Sequence, residues 1–102
     1  MKDNISFNVI DFIPYGKKNA ISNEELAIRM NTDKRTARKF VHHARVKGAN
    51  ICSTCEGDET AGYYIPLSVE EAMPYRKMQR SRIASAEAAL KPVEDFINNF
   101  SE

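Results

Sequence analysis

Of all short stretches in this chain, Ser22-Asn23-Glu24-Glu25 most restricts what it can fold into. A serine followed three residues later by a glutamate is a capping box, in which the hydroxyl and the carboxylate each satisfy a free backbone amide at a helix start. Ile21 and Leu26 flank it as a hydrophobic staple. Leu26, Ala27 and Met30 then share one face of the helix it opens. Asn31-Thr32-Asp33 must end it, because all three side chains compete with the helix for its backbone hydrogen bonds. The helix so bounded is barely three turns long.

The next segment is helical as well. Thr32 or Asp33 can cap a helix whose Ala37, Phe40, Val41 and Ala44 form a narrow apolar stripe before Gly48 stops it. Upstream, Ile5, Val9, Ile10, Phe12 and Ile13 give a first helix with one apolar side, capped by Asn4 or Ser6 and ended by Pro14-Tyr15-Gly16. Downstream, Asn50 to Thr54 and Tyr63 to Ile65 are β-prone runs around a long polar loop, which reads as a hairpin closed by Pro66. A second capping box, Ser68-Val69-Glu70-Glu71, opens a helical segment that Pro74 interrupts or restarts and that runs to the C-terminus. Pro92, with Glu94 and Asp95 directly after it, predicts a kink or break at Lys91.

Helix, short helix, tight turn, helix and hairpin is the order of a winged helix-turn-helix. The expected fold is therefore mainly α with a small β-hairpin: a winged helix-turn-helix over residues 1–67, followed by a C-terminal helical extension over 68–102. With 102 residues and 42% hydrophobic content, a second core of ordinary size is excluded.

Net charge is only +1, so a nucleic-acid role depends on where the charges sit. They concentrate on the third helix: from Asp33 to Lys47 there are six cations, Lys34, Arg35, Arg38, Lys39, Arg45 and Lys47, against one acid, for a local net of +5. At ~100° per residue, Arg35, Arg38, Lys39 and His42 lie opposite or beside the stripe of Ala37, Val41 and Ala44. One side packs and the other is free to enter a major groove, where Arg pairs with guanine acceptors and Lys neutralises phosphate. The candidate DNA-binding set is Lys34, Arg35, Thr36, Arg38, Lys39, His42, Arg45 and Lys47, and the helix start is expected to offer free amides to a phosphate.

The stretch from Ile13 to Ser22, then Glu25-Leu26-Ala27, Arg35-Thr36-Ala37-Arg38 and Gly62-Tyr63-Tyr64-Ile65-Pro66, resembles small winged-helix proteins of phages and prophages of Gram-positive bacteria. The resemblance covers about residues 5 to 90. It implies a DNA-binding module of a mobile element, acting in transcription control or replication, without catalytic activity. One departure is the loop after Cys55, where Glu56, Asp58 and Glu59 stand in place of the cations usual at a DNA-touching wing. Readout is therefore assigned to the third helix, with the wing distant from DNA or turned toward a partner. From this comes an alternative reading, a protein-interaction module that keeps the fold and binds a replication or transcription protein.

Other chemistries find little support. Cys52 and Cys55 with His42 and His43 are of the right types for zinc, but adjacent helical histidines point about 100° apart and strand alternation separates the cysteines, so no metal or other cofactor is expected. No Gly-rich phosphate loop or nucleophile motif is present, and the acidic pairs Glu24-Glu25 and Glu70-Glu71 are explained by capping, so neither an enzyme nor a small-molecule substrate is expected. No apolar run approaches the roughly 18 residues of a membrane span, and the N-terminus lacks a secretory opening, which predicts a cytoplasmic protein without membrane contact. Ile83, Ala86, Leu90, Val93, Ile97 and Phe100 repeat at coiled-coil spacing. Through Ile83, Leu90, Val93, Ile97 and Phe100 this seam either pairs two copies into a homodimer or folds back onto the first helix.

Overall fold

The computed structural model describes residues 8–54 and 62–100. Helix α1, Asn23–Arg29, starts at the capping box: the Ser22 hydroxyl accepts the Glu25 amide at 3.0 Å. The other arm differs from expectation, because the Glu25 carboxylate reaches forward to accept from Arg29 Nε at 3.0 Å. Nor is α1 ended by side-chain competition. Asn31 takes the left-handed conformation, with φ of 57°, and the Thr32 and Asn31 amides donate back to the carbonyls of Ala27 (2.9 Å) and Ile28 (3.0 Å). This is a Schellman closure, and asparagine is the residue other than glycine that best tolerates it.

The reversal delivers Asp33 as the cap of α2, Lys34–Val46. Gly48, with φ of 111°, ends α2 by the same device, its own amide and that of Ala49 donating to Arg45 and Ala44. The two helices pack through Leu26, Ala27 and Met30 against Ala37 and Val41, all buried in one core with Val9, Ile13, Ile51 and Ile65.

Three short strands flank this pair: β1, Ile21–Ser22; β2, Cys52–Ser53; and β3, Gly62–Tyr64. They form an antiparallel sheet in the order β1-β3-β2, with Ile21 opposite Tyr63 and Cys52 opposite Tyr64. The hairpin is as expected, with shorter strands, but β1 was not: the residues assigned to cap and staple α1 also pair with β3. Gly62 permits that pairing, since a Cβ there would lie 2.9 Å from the Ile21 carbonyl oxygen. The acidic loop residues Glu56, Asp58 and Glu59, and Cys55, lie outside the described residues.

The first helix requires correction. Its candidate caps Asn4 and Ser6, with Ile5, fall outside the described residues, and the remainder is one 3-10 turn, Val9–Phe12, which Asn8 caps by accepting the Ile10 amide. Pro14 disfavours helical backbone at Ile13, which is extended at φ −106° and ψ 129°. From there the chain makes a parallel bridge between Tyr15 and Ile65.

The largest departure is at the C-terminus. Helix α3 runs without interruption from Val69 to Phe100, through both Pro74 and Pro92. Its start is anchored: the Ser68 hydroxyl accepts the Glu71 amide, the Glu71 carboxylate accepts the Leu67 (3.0 Å) and Lys17 (3.2 Å) amides, and buried Tyr64 donates its hydroxyl to the Glu71 carbonyl at 2.6 Å. Each proline removes one backbone donor, yet Pro92 stands where the whole helix is exposed, so water can take the orphaned carbonyl and no break at Lys91 results. Asp95 starts no new helix and pairs with Lys91 at 3.7 Å.

Residues 81–100 are exposed throughout, so the fold-back onto the first helix does not occur. The radius of gyration is 17.1 Å, where a compact chain of this length would have ~13 Å.

Candidate nucleic-acid interface

Helix α2 is fixed at both ends before it meets any ligand. At its start, the Asp33 carboxylate accepts the Arg35 (3.1 Å) and Thr36 (3.2 Å) amides and the Thr36 hydroxyl (2.6 Å). These bonds, the Thr36 hydroxyl foremost, hold the Asp33 carboxyl below its ordinary value. The expectation of free amides for a phosphate is thereby corrected, because Asp33 uses two of them and adds a negative charge at the same place. Thr36, half-buried and spent on Asp33, serves the cap.

Asn23, at the head of α1, donates to the Lys34 carbonyl at 2.9 Å and accepts from the Tyr63 hydroxyl at 3.2 Å. The first turn of α2 is thus tied to the central strand. At the other end, Arg45 corrects a second expectation. Its Nε donates to the Ile51 carbonyl at 2.8 Å, and its guanidinium carbon lies 4.9 Å from the Tyr75 ring centre and 5.8 Å from that of Tyr63. Its Nη2 is buried with no hydrogen-bond partner. Arg45 is a clamp joining α2, the sheet and α3, and is not presented to a ligand.

The remaining set comes together as read. Lys34, Arg35, Arg38, Lys39, His42 and Lys47 are all exposed, and among the described residues none of the five lysines and arginines is paired with a carboxylate. Because Ala37 and Val41 are buried on the opposite side, Arg35, Arg38, Lys39 and His42 project together away from the core.

The residue that sequence reasoning missed is Val46, 72% exposed on that outward side. Its signal was available: at ~100° per residue it falls opposite Ala37, off the apolar stripe. A valine among arginines leaves one apolar position on this face.

A further group of cations, Arg76, Lys77, Arg80 and Arg82, is exposed on α3. Cys52 is buried, and burial pushes its thiol up. Among the described residues no three His, Cys, Asp or Glu side chains gather as a metal site, and no helix is long and apolar enough to cross a membrane. No protein-family model, curated protein or solved structure matches the chain.

Proposed function

We propose that this chain is a winged helix-turn-helix protein that binds double-stranded DNA in the cytoplasm, placing the outward face of α2 in the major groove. The observation that carries the reading is the charge of this helix: among the described residues, Lys34, Arg35, Arg38, Lys39 and the cap residue Lys47 stand exposed without a carboxylate partner, with Arg35, Arg38 and Lys39 on the outward face of a helix clamped at both ends. A solvated surface helix in a chain of net charge +1 would be expected to mix both signs; residues 34–47 carry no acid. The short α1, the tight turn at Asn31 and the antiparallel hairpin after α2 support the same reading. Service to a phage or other mobile element, in transcription control or replication, rests on the resemblance of the sequence motifs.

Roles within the face follow from position. Arg38 stands mid-helix and is assigned to a base edge, where two donors meet the acceptors of guanine. Lys47 caps the C-terminal end and is assigned to phosphate. On the preferred duplex selected from random sequence, Arg38→Ala is expected to cost ~1–3 kcal/mol and to relax specificity, while Lys47→Ala weakens all sequences alike. Equal losses from the two changes on selected and random DNA would refute the assignment. Absence of duplex binding, with retention of a replication or transcription protein, would favour the interaction-module alternative.

A further inference from the structure

Beyond residue 80 every position of the C-terminal helix up to Phe100 is exposed, yet the helix carries an apolar seam. Ile83, Ala86, Leu90, Val93, Ile97 and Phe100 are all exposed and recur three and four residues apart. The geometry points to a second copy of this chain as the occupant of that seam, paired antiparallel. The inference is independent of DNA binding.

Orientation follows from where α3 meets its own domain. Glu71, Ala72, Tyr75, Met78 and Gln79 are the half-buried positions of its first turns. At ~100° per residue they lie on nearly the same side of the helix as the seam. In a parallel pair the partner helix would run alongside these turns, through space the domain already fills. In an antiparallel pair the overlap begins at Ile83, just past the domain edge, and ends at Phe100, so each domain projects beyond the end of the other helix.

Side-chain size gives the same answer. Antiparallel pairing sets Ile83 against the partner's Phe100, Ala86 against the partner's Ile97 and Leu90 against the partner's Val93, so every layer joins side chains whose sizes compensate. Parallel in-register pairing would stack alanine on alanine at position 86, leaving a void, and phenylalanine on phenylalanine at position 100. Charge opposes the antiparallel arrangement only at its rim, where Glu87 comes near the partner's Glu94. Both are exposed and screened by salt, whereas overlap with a folded domain is not relieved by solvent.

Pro92 lies away from the seam and does not interrupt it. The domain edges near residue 80 of the two copies would stand ~35 Å apart along the rod, close to one turn of duplex DNA. This spacing suits two half-sites.

Sedimentation velocity of the full chain without DNA tests the pairing. A monomer–dimer equilibrium is expected in the micromolar range, because the seam spans fewer than three heptads. Leu90→Glu, which puts an unpaired charge into the central layer, should raise the dissociation constant at least ~100-fold while helicity by circular dichroism is retained. Ala88→Glu, on the far face, should leave it unchanged.

Orientation is read by oxidation in a Cys55→Ser background. Ala86→Cys mixed with Ile97→Cys should give a disulfide between the two variants, whereas Ala86→Cys alone should not link to itself, its two copies lying ~16 Å apart along the helices. A monomer throughout the concentration range, a Leu90→Glu chain as dimeric as wild type, or self-linking of Ala86→Cys in preference to the mixed pair would each overturn the proposal.

Discussion

Replacing Arg45 by methionine separates the two roles a cation on α2 can have. The change keeps an unbranched stem of similar length between Tyr63 and Tyr75 and removes the guanidinium. Lost are the charged hydrogen bond from Nε to the Ile51 carbonyl, worth ~1.5–3 kcal/mol, and stacking of the cation over two tyrosines, worth ~1 kcal/mol. Gained back is the ~1–3 kcal/mol cost of the buried, unpartnered Nη2 donor. The net is a loss of ~1 kcal/mol, which for a domain of this size lowers Tm by roughly 4–8 °C. Urea and thermal unfolding measure this directly. In DNA titrations of the folded variant, the slope of log affinity on log salt should stay at the wild-type value, whereas Lys47→Ala should reduce it by ~1. A stability loss below ~0.5 kcal/mol together with a slope reduced by ~1 would refute the clamp and return Arg45 to the phosphate-contacting set.

Two further outcomes depend on local geometry. Asn31→Ala should destabilise by ~1–2 kcal/mol, because alanine resists the left-handed backbone that turns α1 into α2, while Asn31→Gly should be neutral or slightly stabilising; chemical denaturation of both variants checks the pair. Burial, with smaller contributions from Cys52 and Glu71, raises the Tyr64 hydroxyl from 10.0 to about 12. The neutral form is thus favoured in the folded state, and its stabilisation is complete below pH 10 and lost as pH rises to about 12, by up to ~3 kcal/mol; Tyr64→Phe should remove that decline from pH-dependent unfolding curves.

What could be read from the sequence was what local chemistry decides. Ser22, Asp33, Ser68 and Gly48 act at helix ends, and each cap or stop depends on residues within a few positions, so it was visible in the chain. The outward face of α2 was visible for the same reason, since the 3.6-residue period sets Arg35, Arg38 and His42 opposite Ala37 and Val41.

Three things were not local. The β1 strand is two residues long and exists because Gly62 lets a distant strand approach, which no alternation over two positions can signal. Arg45 reads as one more cation until Tyr63, Ile51 and Tyr75 are brought to it by the hairpin and α3. Pro92 reads as a helix break, yet its local rule yields where the helix is surrounded by water and the lost bond can be replaced by solvent.

The salt dependence of duplex binding tests the central claim most directly. Fluorescence anisotropy of a labelled duplex titrated with the full chain, repeated between about 50 and 200 mM salt, gives the slope of log affinity on log salt, which is about −0.9 for each phosphate neutralised. Five exposed cations on α2 predict a slope near −4 to −5 for each bound chain, a loss of affinity of roughly several hundredfold over that range. No binding at the lowest salt, or a slope within about one unit of zero, would contradict the account.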